Sequence, residues 1–167
     1  MPRSFDILTE SPASVEQVHA AFSDKDYWLA RLVAFGDCST LDSLVVDADG
    51  TVTVSLTQHL GRQLLPGVVA KIVPGDLRIV HTERWRPVGD RRVRGEVSVS
   101  APAGLGSGRA EAWLTSVGNG SQLRFAATVE VKIPLVGGKF ENSIGAELAE
   151  NIPAFQRFTA TWITEHA

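Results

Sequence analysis

The spacing of apolar residues changes three times along the chain, and each change marks a different kind of element. Residues 4–10 alternate with a period of two, which predicts a short strand. Ser14 and Gln17 stand at the spacing of a capping box, and apolar residues then recur at helical spacing. This pattern predicts a first helix, followed by a second one that ends at Gly36. The chain therefore opens with a strand and two short helices.

The middle of the chain returns to a period of two. The dipeptides Asp49-Gly50 and Asn119-Gly120 are hairpin turn sequences between alternating segments. Between Gly61 and Pro74 the pattern is mixed, and it favours a helical turn that begins at Pro66. The predicted strands of this region are 41–48, 51–60, 77–87, 91–101, 108–117 and 121–133.

After Pro134 the apolar residues step by three or four positions, which predicts a helix over 138–165. At 1.5 Å per residue such a helix is roughly 40 Å long, enough to cross a sheet. An antiparallel sheet has one face to bury, and this amphipathic helix is the element available to cover it. We therefore predict an α+β helix-grip architecture. It consists of a seven-stranded curved antiparallel sheet wrapped around a long C-terminal helix, with two short helices after the first strand.

Composition narrows the class of protein. The 167 residues, 44% of them hydrophobic, suffice for one domain, 1–167, with a core that needs no disulfide or metal. A net charge of -3 gives no electrostatic basis for binding nucleic acid. Cys38 is the single cysteine, and the chain has neither a signal-like apolar segment nor a transmembrane run. We therefore expect a cytoplasmic protein.

The four histidines offer no pair at the spacing of metal ligands. The glycines of 104–108 lack the spacing of a dinucleotide fingerprint, and a strand follows them where a helix is required. We therefore expect neither a metal nor a cofactor.

Two polar residues in an apolar strand are the strongest functional candidates. If Leu77, Ile79 and Trp85 face the helix, strand alternation puts His81 and Glu83 on the same face. A buried Glu beside a His either orients a polar ligand group or transfers protons as a general acid and base. A slip of one residue gives the alternative, in which Val80 faces inward and both polar residues contact solvent or neighbouring arginines.

Small residues in the middle strands suggest space beneath the helix. Gly95, Ala110, Ala112 and Ala127 stand where a packed sheet normally carries larger groups. The alternative is that aromatic residues fill this space as ordinary core. The candidate ligand-binding residues are His81, Glu83, Trp85, Trp113, Phe125, Phe155, Phe158 and Trp162.

Five arginines flank the turn at Gly89-Asp90. They predict either a solvated hairpin or a site for an anionic head group or acidic partner at the mouth of the cavity. These residues are Arg84, Arg86, Arg91, Arg92 and Arg94.

The chain resembles the helix-grip superfamily, also named SRPBCC, which includes START lipid-transfer domains, pollen-allergen-like carriers and polyketide cyclases. The resemblance rests on the capping box at Ser14, on Thr82-Glu83-Arg84-Trp85, and on the segment from Ile133 to Lys139 before the last helix. That segment is similar to the strand-to-helix connection of an uncharacterised, mainly actinobacterial branch related to polyketide cyclase and lipid-transport proteins. The resemblance implies a cavity for a hydrophobic ligand between the sheet and the last helix, and leaves the reaction open.

Three functions follow as hypotheses. The first is non-catalytic binding or transport of a hydrophobic small molecule or lipid. The second is an enzyme of the polyketide cyclase or aromatase type that uses His81 and Glu83 for proton transfer. The third is a regulatory or protein-interaction module with a filled core. The sequence is consistent with a monomer or a dimer.

Overall fold

The structure is a computed structural model that describes residues 2–36, 38–73 and 75–167. Within those residues the chain forms seven strands, four α-helices and two short 3-10 turns. The strands are β1 (Arg3–Ser11), β2 (Ser39–Val46), β3 (Val52–Leu60), β4 (Leu77–Gly89), β5 (Arg92–Ser100), β6 (Gly106–Val117) and β7 (Gly120–Val131), and the helices are α1 (Val15–Phe22), α2 (Lys25–Phe35), α3 (Gly67–Ala70) and α4 (Gly137–Glu165).

The strands form one antiparallel sheet in the order β1-β7-β6-β5-β4-β3-β2. Each strand from β2 to β6 pairs with the next one along the chain, and β1 pairs with β7 at the edge of the sheet. The predicted α+β helix-grip architecture is confirmed. The helical turn expected after Pro66 is α3, whereas Pro74, at the end of that segment, lies outside the described residues.

The capping box fixes the start of α1. The Ser14 hydroxyl accepts a hydrogen bond from the Gln17 amide at 3.2 Å, and the Gln17 side chain accepts one from the Ser14 amide at 2.9 Å. At the other end, the Trp28 indole donates to the Phe22 carbonyl at 2.7 Å and ties α2 to α1. Tyr27 and Trp28 are fully buried, and Tyr27 packs against Phe158 and Trp162 of α4.

The N-terminal half of α4 is anchored to the edge formed by β1 and β7. Gly145 packs directly on the ring of Phe5, where an added Cβ would overlap the ring. The buried Glu141 carboxylate accepts a hydrogen bond from the Val131 amide at 2.9 Å and lies 3.5 Å from the Arg3 guanidinium. The helix is thereby held on the concave side of the sheet, and space remains between it and β3 to β7.

Candidate ligand cavity

A cavity of about 410 Å³ lies between α4 and the inner face of the sheet. Its wall combines residues of five strands with residues of all four α-helices described, and both clusters of buried core residues contribute to it. Most of the wall is apolar. Representative lining residues are Ile79, Val97, Leu123, Val129, Ile144 and Leu148.

The register of β4 determines which polar residues enter this cavity. Leu77, Glu83 and Trp85 are buried, whereas Val80 is 47% exposed and the arginines between the buried positions face solvent. His81 and Glu83 therefore both line the cavity. The alternative register, in which Val80 faces inward, is wrong. Leu77 and Trp85 lie on the inner face of β4, and every second residue between them lies on the same face.

Glu83 is a buried carboxylate with two hydrogen-bond donors. Its Oε2 lies 2.9 Å from His81 Nε2, and its Oε1 accepts a hydrogen bond from Trp85 Nε1 at 3.0 Å. Burial by itself raises the pKa of Glu83, but the hydrogen bond from His81, the charge of Arg31 and the Trp85 donor outweigh burial and lower the pKa to about 2. Glu83 is therefore ionised at neutral pH. Because a carboxylate only accepts, His81 carries its proton on Nε2.

Arg31 from α2 also lines the cavity, and sequence reasoning missed it. Its guanidinium lies 4.1 Å from the centre of the Phe155 ring and 4.9 Å from that of Trp28. One nitrogen donates a long hydrogen bond, 3.4 Å, to the Tyr27 hydroxyl. Burial lowers the pKa of Arg31, but Tyr27 and Glu83 outweigh burial and raise the pKa above its usual value, so the side chain stays charged.

Gln156 of α4 is a second polar residue that sequence reasoning missed. The residue is 3% exposed, it lines the cavity, and its Nε2 has no hydrogen-bond partner in the described part of the chain. The nearby Thr159 hydroxyl is satisfied, since it lies 2.6 Å from the Tyr27 hydroxyl and 2.7 Å from the Phe155 carbonyl. Gln156 follows Ile152 by four positions, so the two residues lie on the same apolar face of α4. A polar amide on that face is the feature of the sequence that could have drawn attention to Gln156.

The aromatic candidates divide into two groups. Trp85, Phe125 and Phe155 line the cavity. Phe158 and Trp162 do not, because they pack against the buried Tyr27, with ring centres 6.0 and 5.5 Å away. The expectation that these two residues line the cavity is therefore wrong. They pack on Tyr27 instead.

Trp113 lies on the opposite face of the sheet. Ala112 and Leu114 are fully buried on the inner face, so alternation along β6 turns Trp113 outward. There the indole contacts Arg94, whose guanidinium is 5.1 Å from the ring centre, in a shallow outer depression. The prediction that Trp113 lines the cavity is wrong.

The four small residues do not all create space. Ala110 and Ala127 line the cavity, and Ala112 is buried beside it. Gly95 instead makes room for the Trp85 indole, because an added Cβ would lie 2.5 Å from its Cζ3. At this position the aromatic side chain fills the space, as the alternative interpretation expected.

Three of the five arginines of the β4–β5 hairpin form surface ion pairs among the described residues. Arg91 lies 2.8 Å from Glu16, Arg92 lies 3.8 Å from Asp90, and Arg94 lies 3.3 Å from Glu111. None of the hairpin arginines lines the cavity in the described part of the chain. The solvated hairpin is therefore the better interpretation.

Neither a cluster of metal-ligating side chains nor a membrane-spanning helix is found among the described residues. No group of three or more His, Cys, Asp or Glu side chains is arranged to hold a metal ion there. No helix there is long and apolar enough to cross a membrane.

Residues 6–163 match the family described as "Protein of unknown function (DUF2505)", and the chain belongs to that family. It is 37% identical over 180 aligned positions to the uncharacterized proteins Rv0481c of Mycobacterium tuberculosis and Mb0491c of Mycobacterium bovis, with 99% of each chain covered. Both organisms are actinobacteria, in agreement with the branch that the sequence resembles.

Solved structures share the fold at low sequence identity. TTHA0849 from Thermus thermophilus matches with a TM-score of 0.58 at 16% identity, covering 99% of both chains. Ara h 8.0201 matches with a TM-score of 0.58 at 12% identity and the same coverage. Norcoclaurine synthase from Thalictrum flavum matches with a TM-score of 0.50 at 14% identity, covering 100% of this chain and 89% of the other. These matches support the helix-grip fold.

Proposed function

We propose that the protein binds a hydrophobic small molecule or lipid reversibly in the cavity between the sheet and α4. The single observation that carries this proposal is the cavity of about 410 Å³ with its mostly apolar wall. Protein interiors are close-packed and rarely retain voids much larger than a water molecule, whereas ligand sites measure roughly 300 to 1,000 Å³. A space of this size is suited to an apolar occupant.

The aromatic and the polar lining residues have different roles in binding. Trp85, Phe125 and Phe155 provide aromatic walls, and burying an apolar ligand against them provides most of the binding free energy. His81 and Glu83 form the polar contact that orients the ligand. The norcoclaurine synthase structure contains dopamine and hydroxybenzaldehyde, which supports the use of this fold for small aromatic compounds.

Native mass spectrometry of the purified protein tests the proposal. We expect a species heavier than the chain by the mass of one small molecule, which denaturation releases. We also expect the neutral fluorophore N-phenyl-1-naphthylamine to bind with one-to-one stoichiometry after delipidation. If no compound is released and the fluorophore does not bind, the proposal is wrong.

A cyclase-like or aromatase-like enzyme is the second candidate, favoured by the contact between His81 and Glu83. A carboxylate that holds the Nε2 proton of a histidine leaves Nδ1 available to accept a proton from a ligand. The compound released from the protein is the substrate to test. Conversion by the wild type, lost in His81→Gln while the compound still binds, would establish this activity. The third hypothesis expected a filled core, which the structure does not show.

A further inference from the structure

We propose that the ligand carries a carboxylate and that Arg31 and Gln156 bind it at one end of the cavity. This inference rests on the proposed function, since it specifies the chemical class of the molecule that the cavity holds. Two independent observations among the described residues carry it: a cavity-lining cation that no anion contacts there, and a buried amide that has no hydrogen-bond partner there.

The aromatic neighbours of Arg31 leave its hydrogen-bonding edge free. Phe155 and Trp28 lie within contact distance of the guanidinium, as cation–π partners. Only one N–H is engaged within the described residues, by the Tyr27 hydroxyl at 3.4 Å, and none of the ion pairs formed there includes Arg31. A guanidinium offers parallel N–H groups in one plane, which match the two oxygens of a carboxylate.

Gln156 supplies the second polar contact. Leaving a buried amide without a hydrogen bond costs free energy, so such a group in a cavity wall indicates a polar atom of an occupant. Phe155, the preceding residue, packs against Arg31, which puts the amide on the same stretch of α4 as the guanidinium contact. A carboxylate oxygen satisfies the Nε2 donor of Gln156.

The charged lining residues among those described are Arg31, Glu83, Arg109 and Glu130. Arg109 is exposed and Glu130 pairs with Lys132, so we take Arg31 and Glu83 as the charges that select the head group. Glu83 is ionised and accepts hydrogen bonds from His81 and Trp85, and none of the ion pairs among the described residues joins it to Arg31. A neutral ligand would leave the Arg31 charge half-buried without a contacting anion, which is costly. A doubly charged phosphate would cost more free energy to remove from water than a carboxylate, and Arg31 supplies only one positive charge to offset that cost. A carboxylate on an apolar chain or ring system therefore fits best.

Displacement of N-phenyl-1-naphthylamine by a matched pair, decanoate and decanol, tests the inference. These compounds share an alkyl chain and differ in the head group. We expect decanoate to displace the fluorophore from the wild type at a concentration roughly 10- to 100-fold lower than decanol, the range for hydrogen bonds to a charged group. In Arg31→Met, which removes the charge and keeps an apolar side chain, we expect the two compounds to become equivalent within about threefold.

Two further variants test whether the preference for decanoate depends on the proposed site. Gln156→Met should reduce the preference for decanoate by roughly three- to tenfold, the worth of a hydrogen bond from a neutral donor, and it tests the site independently if Arg31→Met fails to fold. Arg84→Met removes an exposed arginine from the outer face of β4 and should retain the wild-type preference.

Equal displacement of the fluorophore by decanoate and decanol in the wild type overturns the carboxylate inference and leaves the proposed function intact. The same conclusion follows if Arg31→Met and Gln156→Met both keep the preference, or if Arg84→Met loses it. If the fluorophore does not bind the wild type and native mass spectrometry finds no released compound, both the inference and the proposed function are wrong.

Discussion

Glu83 is stabilised in its charged form by neighbouring side chains. The hydrogen bonds from His81 and Trp85, together with the charge of Arg31, replace the hydration that the carboxylate loses on burial. The same contacts fix the side chain in one orientation within a mostly apolar wall. A pKa that folding lowers from 4.5 to about 2 also makes the stability of the protein depend on pH.

We predict that Glu83→Gln removes a pH-dependent part of the stability. The folded-state pKa lies below the unfolded-state value, so the stabilisation is fully present above about pH 5 and is lost as the pH falls toward about 2. The shift corresponds to about 3 kcal/mol in the free energy of unfolding. Urea denaturation of both proteins at several pH values measures it, and the difference between them should shrink as the pH falls. A difference that is constant from about pH 6 to about pH 3 would contradict this account.

Glu16→Gln is the matched control for that measurement. Glu16 pairs with Arg91 at the surface, and a hydrogen bond from Arg91 lowers its pKa to about 2 as well. Both partners are more than half exposed, so solvent and salt screen their interaction. We expect Glu16→Gln to change the stability less than Glu83→Gln, and added salt to reduce its effect further.

The sequence predicted which residues of β4 face inward, but it missed two polar residues of the helices that line the cavity. Alternation in β4 was sufficient to place His81 and Glu83 on one face, because Trp85 and Leu77 mark the inner side. Arg31 was missed because a charged residue in a short helix is normally solvated, and only the packing of α2 against Phe155 brings it to the cavity. Gln156 lies one helical turn after Ile152 on the apolar face of α4, but that position alone does not show that the residue lines a cavity.

At the scale of elements, the contact between β4 and β5 depends on a missing side chain. Gly95 pairs with Trp85 across the two strands, and the indole occupies the volume that any Cβ at this position would need. Both residues are buried, and Phe22 of α1 packs on the same indole with ring centres 4.8 Å apart. The glycine therefore sets the position of a cavity wall as well as the packing of α1.

We predict that Gly95→Ala destabilises the protein by about 1 to 3 kcal/mol, the usual cost of overpacking a core. The added methyl group would lie 2.5 Å from the Trp85 ring, so the indole has to move toward the cavity or α1. Thermal denaturation measures the loss. Gly108→Ala on β6 is the control, because its nearest neighbours would lie at 3.9 Å, and equal destabilisation of the two variants would contradict the prediction.

The elements themselves were predictable wherever periodicity was long. Strict alternation in β7 and helical spacing in α4 extend over many residues, and both elements form close to the expected bounds. Trp113 was predicted on the wrong face of β6. Its neighbours Ala112 and Leu114 already occupied the inner face, so placing the indole in the cavity contradicted the alternation that had identified the strand.

For the whole molecule, the main feature is that α4 covers the sheet without filling the space beneath it. Gly145 on Phe5 and Glu141 on the Val131 amide hold one half of the helix close to β1 and β7. Phe158 and Trp162 hold the other half against α2. Between these two attachments Ala110 and Ala127 leave volume in the sheet. Sequence patterns located the elements, but the unfilled volume depends on the distance between packed layers and requires the structure.

We predict that Ala127→Phe abolishes ligand binding without unfolding the protein. The phenyl ring would extend from the inner face of β7 into the cavity, where it buries its own apolar surface and occupies the ligand's space. The affinity for N-phenyl-1-naphthylamine should fall at least tenfold, an effect of about 1.4 kcal/mol or more, and the melting temperature should stay level or rise. Ala126→Phe adds the same ring on the exposed outer face one residue away and should bind like the wild type. Unchanged binding by Ala127→Phe would place the ligand site outside this cavity, because a blocked cavity and a bound ligand exclude one another.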